Sequence, residues 1–301
     1  MKPLKIKNIV FGEGTPKICI PLTGRTRARI LEQAKQVSGL PHQVAEWRAD
    51  YFEGVTDITE VSSVLMELRR LLPDSLLLFT FRTKKEGGVK ELSEEAYLKL
   101  CASMAESGLA DLLDLELFTG YPISKVPFSS TETIKNPDPN KCGDSPQSSA
   151  LSAQETEKNR PIGIGGPETA GLSGSPLPPV LDLAHKHNTY VILSSHDFEK
   201  TPPEEEIFRR LAAMERLGGD IAKLAAMPRT PEDVIALLSA TCRASRELTC
   251  PVITMSMGPL GVVSRVSGRL TGSCLTFGTA GEASAPGQLP AGELERLLGL
   301  L

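Results

Sequence analysis

Eight short apolar runs, separated by stretches of helical period, constrain the fold of this chain more than any other feature. The runs occupy residues 17–22, 43–51, 76–82, 112–118, 190–198, 221–227, 251–257 and 273–278. Amphipathic helical patterns lie at 24–38, 56–72, 93–107, 203–217, 231–247 and 291–300. Strands that alternate with helices pair in parallel, because the chain must cross over between them. Eight such units predict an α/β fold, a closed (β/α)8 TIM barrel forming a single domain over residues 1–301, and the 301-residue length suits it. An open doubly wound sheet would need a glycine-rich phosphate loop after an early strand. The nearest candidate, Gly163-Ile164-Gly165-Gly166, follows no such strand.

One segment breaks the pattern. Residues 121–178 are rich in Pro, Ser, Gly and Asn and poor in large apolar groups, a composition that cannot bury enough surface to offset its own ordering entropy. It is expected to be a disordered low-complexity loop inserted after the fourth strand, near the mouth where barrel sites lie. An idle insertion is the plain reading, and a lid or a docking segment the alternative.

Other properties narrow the partners. The net charge is −4 with no basic cluster, which argues against nucleic acid. No apolar run approaches the roughly 20 residues of a membrane span, and the opening MKPLKIKNIVFGEG lacks the layout of a signal peptide. A cytoplasmic location is therefore expected. Cys19, Cys101, Cys142, Cys242, Cys250 and Cys274 show no C-x-x-C spacing, which suggests reduced and mostly buried thiols. His42, His185 and His187 read as structural, and no metal site is expected.

The strands carry charges on the wrong face for a plain core. In Ala45-Glu46-Trp47-Arg48-Ala49-Asp50 the period of two puts Glu46, Arg48 and Asp50 together, opposite Ala45, Trp47 and Ala49. With helices packed on the apolar face, the ionic one must look into the barrel. Asp114 and Glu116 alternate with Leu113, Leu115 and Leu117 in the same way, Arg82 and His196 stand near strand ends, and Lys223 interrupts the apolar run of GDIAKLAAMP, residues 219–228. Ion pairing could explain one such strand, whereas five suggest a pocket for a charged small molecule.

Seven stretches, in order, carry a resemblance: VAEWRADYF (44–52), LLFTFRTKKEGG (77–88), LLDLELFTG (112–120), VILSSHDFEKTP (191–202), DIAKLAAMP (220–228), VITMSMGPLGVVSR (252–265) and FGTAGEASAPGQLP (277–290). In these the chain resembles the type I 3-dehydroquinate dehydratases, Schiff-base-forming lyases of the shikimate pathway. The resemblance implies a (β/α)8 barrel, a homodimer, and no cofactor or metal. It implies that Lys223 forms the imine, that His196 is the proton donor and acceptor, and that Glu86 orients the histidine. It assigns substrate binding to Glu46, Arg48, Arg82, Arg265, Ser284 and Gln288, and an apolar lining to Met255, Met257 and Phe277. Two departures stand out: Pro21 occupies a position where serine is common in the family, and the insertion replaces a short turn and much of the fourth helix.

The implied reaction is the dehydration of 3-dehydroquinate to 3-dehydroshikimate. It requires removal of a weakly acidic proton beside a ketone, and a protonated imine supplies the electron sink. An unperturbed lysine is neutral in only roughly one molecule in 2,500 at pH 7. Packing against Ile221 and Leu224 and the nearby Arg48, Arg82 and Arg265 are expected to favour the neutral amine. Two other readings remain open from sequence: another class I Schiff-base lyase or aldolase, and a non-catalytic barrel recruiting a partner through its insertion.

Overall fold

The computed structural model describes residues 1–117, 177–281 and 283–301. Eight parallel strands follow one another round a barrel: β1 (Lys17–Leu22), β2 (Val44–Arg48), β3 (Leu76–Thr80), β4 (Leu112–Glu116), β5 (Tyr190–Asp197), β6 (Ile221–Ala226), β7 (Val252–Ser256) and β8 (Leu275–Thr279). β8 pairs with β1, and the ring closes between β7 and β8 through a bridge of Val252 with Ser273 and a 2.9 Å bond from the Cys274 N–H to the Val252 carbonyl. The (β/α)8 architecture expected from the alternation is the one observed.

The connecting helices are α1 (Arg27–Val37), α2 (Ile58–Leu71), α3 (Glu94–Ser107), α4 (Leu177–Lys186), α5 (Glu204–Arg216) and α6 (Pro231–Glu247), then the short α7 (Val262–Val266) and α8 (Gly268–Thr271), and α9 (Ala291–Leu300). Their starts follow from sequence: Asp57, Ser93 and Thr230 cap α2, α3 and α6 by accepting backbone N–H groups, and Pro231 opens α6 where no N–H is required.

The inward face of the barrel changes character along its axis. At the N-terminal end Val44, Leu76, Leu78, Leu112, Ile192, Ile221, Ile253 and Leu275 form an apolar floor. A hairpin of Leu4–Ile6 and Ile9–Phe11 adds Ile6 and Phe11 to that cluster. One step of two residues further on, the same face becomes Glu46, Thr80, Asp114, Ser194 and Lys223, all buried. The outward positions, Trp47, Phe79, Leu113, Leu193 and Leu224 among them, are buried as well.

The structure corrects several boundaries. β2 ends at Arg48 and gives way to a 3-10 turn at Ala49–Tyr51, and β3 ends at Thr80. The turn brings Asp50 under Arg48, so Asp50 meets the ionic face from a turn and not from a strand. The predicted insertion 121–178 lies outside the described residues up to 176. Its last two residues, Leu177 and Pro178, are helical and belong to α4. A fourth helix of ten residues is therefore present. Pro21 is also accommodated. Odd-numbered residues of β1 face β8, that ladder ends at Cys19 paired with Phe277, and the missing N–H of Pro21 interrupts nothing.

Candidate active site

All twelve residues to which the resemblance assigns a site role line one pocket at the C-terminal ends of the strands, together with Gly87, Phe198, Ala225 and Ala285. The sheet register explains the convergence. Ser194 pairs with Lys223 and His196 with Ala225, so His196 stands on the neighbouring strand one inward row above the lysine, and not across the mouth from it.

Lys223 is buried, and its ammonium meets Asp114 Oδ2 at 2.9 Å and the Phe277 ring at 4.8 Å from the centroid. This differs from the expected environment in two ways. Leu224 alternates to the opposite face of β6, away from the amine, and the charged group in contact with the amine is a carboxylate, not one of the three arginines. The inward Asp114 and Glu116 were legible in the sequence as charges without partners. Both complete an ionic layer around Arg82. Its Nη2 donates to Asp114 Oδ1 at 2.9 Å, and its Nη1 donates to Glu116 Oε1 at 2.9 Å and to the Ser194 hydroxyl at 3.1 Å. Burial disfavours the Asp114 carboxylate, but Arg82, Lys223 and the Ser194 hydroxyl outweigh it and hold the carboxyl well below the usual range.

His196 meets Glu86 through one oxygen. Glu86 Oε2 lies 2.9 Å from Nδ1 and accepts the backbone N–H of His196 at 3.0 Å. Burial, then Arg82 and Lys223, push the imidazole pKa well below 6.5. Burial, then Glu116, push the Glu86 carboxyl up. Both shifts disfavour the charge-separated imidazolium and carboxylate form, and a neutral ring with Nδ1–H directed at Glu86 leaves Nε2 as a free base. The turn carrying Glu86 depends on glycine. Gly87 has φ +84 and a Cβ there would meet the Phe198 ring at 2.2 Å, while a Cβ on Gly88 would lie 1.9 Å from the Arg82 carbonyl. Phe198, missed in the sequence, is a pocket residue two positions beyond His196 on the same side of the chain.

Three arginines reach the pocket and they differ in their freedom. Arg48 is paired bidentately with Asp50, at 2.8 and 2.9 Å. Arg82 is occupied as described. Arg265, from α7, donates Nη2 to the Pro286 carbonyl at 2.8 Å, and its buried Nε and Nη1 have no partner among the described residues. Burial alone draws its pKa down to about 10, so it is still charged at neutral pH. Unfilled N–H donors on a buried, charged guanidinium suit an anionic group such as a carboxylate. The strap over this guanidinium is held by Ser284 and Gln288, which bond side chain to side chain and through the Ser284 N–H, and by the Gly258 N–H on the Pro286 carbonyl. Glu46 accepts from the Thr80 hydroxyl at 2.9 Å. Among the described residues no group of three or more His, Cys, Asp or Glu side chains is placed to hold a metal ion, and no helix is long and apolar enough to cross a membrane.

Fold and pocket thus define a (β/α)8 barrel with a buried amine, a histidine–carboxylate pair and a guanidinium with unfilled donors at its mouth. The family model of the type I 3-dehydroquinases matches residues 18–134 and 177–301, and the chain belongs to that family. It is 38% identical over its whole length to the 3-dehydroquinate dehydratase of Listeria monocytogenes serotype 4b (strain F2365) and 40% identical to that of Bacillus licheniformis, covering 98% of each. A crystal structure of the type I 3-dehydroquinate dehydratase from Clostridium difficile, carrying covalently modified comenic acid, superposes with a TM-score of 0.79 at 38% identity, over 100% of this chain and 98% of that one.

Proposed function

We propose that the chain is a hydro-lyase that converts 3-dehydroquinate to 3-dehydroshikimate and water, in the shikimate pathway, through an imine on Lys223. The observation that carries this reading is the convergence in one pocket of a buried lysine, a histidine with a free Nε2 and an arginine with two unfilled donors. Arg265 holds the substrate carboxylate with those donors. The Lys223 amine attacks the ketone, His196 moves the protons of carbinolamine formation, of α-carbon deprotonation and of hydroxide departure, and Glu86 fixes its tautomer. Ser284 and Gln288 close over the ring, Glu46 receives a substrate hydroxyl, and Met255, Met257 and Phe277 supply the apolar wall. Arg48 and Arg82 meet the substrate as walls already held by their own carboxylates.

Borohydride added with 3-dehydroquinate is expected to inactivate the protein and leave a stable adduct on Lys223, located by peptide mass. Turnover without an adduct, or an adduct on another residue, removes the imine from the account. An aldolase of the same imine chemistry would have no use for the Ser284–Gln288 strap, and assay with 3-dehydroquinate separates the two. No cofactor takes part. We place the protein in the cytoplasm, consistent with free thiols at Cys19, Cys101, Cys242, Cys250 and Cys274. We assign it a homodimeric state in which the exposed Leu260, Val263 and Leu270 of the α7–α8 region are covered. Sedimentation at micromolar concentration tests that assignment.

A further inference from the structure

We propose that Asp114 is the counter-ion that keeps the substrate imine on Lys223 protonated throughout turnover. The inference rests on the imine reading above and concerns a residue that the proton relay of His196 and Glu86 does not use.

Its basis is the way the two Asp114 oxygens are divided. Oδ1 is committed, accepting Arg82 Nη2 at 2.9 Å and the Ser194 hydroxyl at 2.6 Å. Oδ2 is directed to the Lys223 nitrogen at 2.9 Å. The aspartate is wholly buried and Lys223 is 3% exposed, so solvent screens their interaction little. An imine nitrogen is less basic than the amine it replaces, and burial penalises its charged form further. Left alone in this pocket, it would shed its proton, and a neutral imine is a poor sink for the electron pair of the α-carbon. A carboxylate held at 2.9 Å reverses that balance, provided it does not itself take the proton. Arg82 and Ser194 ensure this by stabilising Asp114 as an anion.

The remaining charges facing the pair leave that role to Asp114. From β1 comes the neutral thiol of Cys19, and from β2 come Glu46, bonded to Thr80, and Arg48, bonded to Asp50. From the end of β3 and the turn after it come Arg82 and Glu86, the latter on His196, and from β4 comes Glu116, on Arg82 and Thr83. β5 brings His196, α7 brings Arg265, and β8 brings only the face of Phe277.

The steps balance with Asp114 ionised at each one. The amine forms a C–N bond to the ketone carbon, the former carbonyl oxygen takes protons and departs as water, and the C=N nitrogen retains one hydrogen and the positive charge toward Oδ2. His196 removes the α-proton, the C–H pair becomes a C=C bond, and the C=N π pair moves onto nitrogen, which becomes neutral. Those electrons then return to expel hydroxide, which His196 protonates to water. The iminium is regenerated and hydrolysed to the product ketone and the amine.

The test compares wild type, Asp114→Asn and Asp114→Glu, each mixed with 3-dehydroquinate, by Raman spectroscopy of the C=N stretch in H2O and D2O and by the pH profile of kcat. A protonated imine band moves to lower frequency in D2O and a neutral one does not. Wild type is expected to show the shift at neutral pH and to keep it about two pH units higher, the size of effect a carboxylate at this distance exerts. Asp114→Asn is expected to lose the shift at neutral pH, with its kcat profile displaced to acid by roughly 1–3 units. Asp114→Glu is expected to restore the wild-type profile. An Asp114→Asn adduct with an undiminished D2O shift and an undisplaced profile overturns the proposal. If that variant does not fold, the wild-type titration decides alone, and loss of the shift near neutrality overturns it. Absence of a borohydride adduct on Lys223 in wild type defeats instead the imine reading beneath it.

Discussion

Glu86 Oε2 sits within hydrogen-bond reach of both the side chain and the main chain of His196, 2.9 Å from Nδ1 and 3.0 Å from the backbone nitrogen. One oxygen therefore fixes the rotamer of the ring and the position of the strand end that carries it. A ring fixed this way presents Nε2 to the pocket in a single orientation. Replacement of His196 by alanine should cost about 10²–10⁴-fold in kcat, the usual worth of a positioned acid–base group. Imine formation should continue slowly, visible as borohydride adduct on Lys223. Glu86→Gln keeps an acceptor but removes the charge, and its loss in kcat should be smaller than that of Glu86→Ala. Equal losses would mean that the charge matters and the positioned acceptor does not.

The pH dependence follows from the same pair. Burial, then Arg82 and Lys223, lower the pKa of His196. A lowered pKa keeps imidazole unprotonated, and so available as a base, until the pH falls well below the ordinary 6.5. The acid limb of kcat/KM should accordingly lie below that of a solvent-exposed histidine, and a limb at 6.5 or higher in the measured profile contradicts the assignment of His196 as the base. The effect on stability has the same sign. The unfolded chain takes up the proton at 6.5 while the folded one resists it, so this residue withdraws stability as pH falls through 6.5, which urea titrations across pH 5–7.5 can detect.

Arg265 should behave as a binding residue with a geometric requirement. Its Nε and Nη1 are unfilled while Nη2 holds the Pro286 carbonyl, and a lysine at that position would supply charge from one nitrogen in place of donors on three. Arg265→Lys should lower kcat/KM by roughly 10- to 150-fold, the equivalent of about 1.5–3 kcal/mol for a charge-assisted contact, mostly through KM. Calorimetry offers a second check. A carboxylate-bearing product analogue should raise the melting temperature of wild type and have little effect on Arg265→Lys, whereas the matching carboxamide should do neither.

How far the sequence reaches can be judged from individual residues. The inward direction of Glu46, Asp114 and Glu116 is a local property, set by the period of two, and it was legible. So was the order of the strands, because a short crossover puts consecutive parallel strands side by side. The partner of Lys223 was not legible. Asp114 is 109 positions away, on a strand separated from β6 by β5, and the contact depends on the tilt of the ring and on Ser194 being small enough to reach past. The helical state of Leu177-Pro178-Pro179 was missed for a different reason: consecutive prolines read as a loop, because proline lacks the N–H that a helix interior uses. Gly87 and Gly287 announce a need for unusual backbone, but what they approach is a matter of tertiary packing.

Gly287 gives the sharpest test of the strap over the site. It has φ +77, and a Cβ there would lie 2.5 Å from the Gly258 carbonyl oxygen, a main-chain atom at the end of β7. An alanine cannot be absorbed by a rotamer change, so the strap must lift. Lifting parts the Pro286 carbonyl from Arg265 Nη2, now at 2.8 Å, and from the Gly258 N–H, now at 3.2 Å. The carboxylate clamp then loses its anchor, and Ser284 and Gln288 lose their place over the ring. Gly287→Ala should therefore lower kcat/KM at least about tenfold, since closing elements often govern both constants. Strain alone predicts something else. An alanine in the left-handed region costs about 1–2 kcal/mol wherever it sits, and Gly14, with φ +69 and nothing within 4 Å of a built Cβ, supplies the control. Gly14→Ala should lose about the stability that strain alone costs, no more than Gly287→Ala loses, and keep wild-type KM. If the two variants lose activity alike, the strap has no part in binding and the effect of Gly287 is backbone strain.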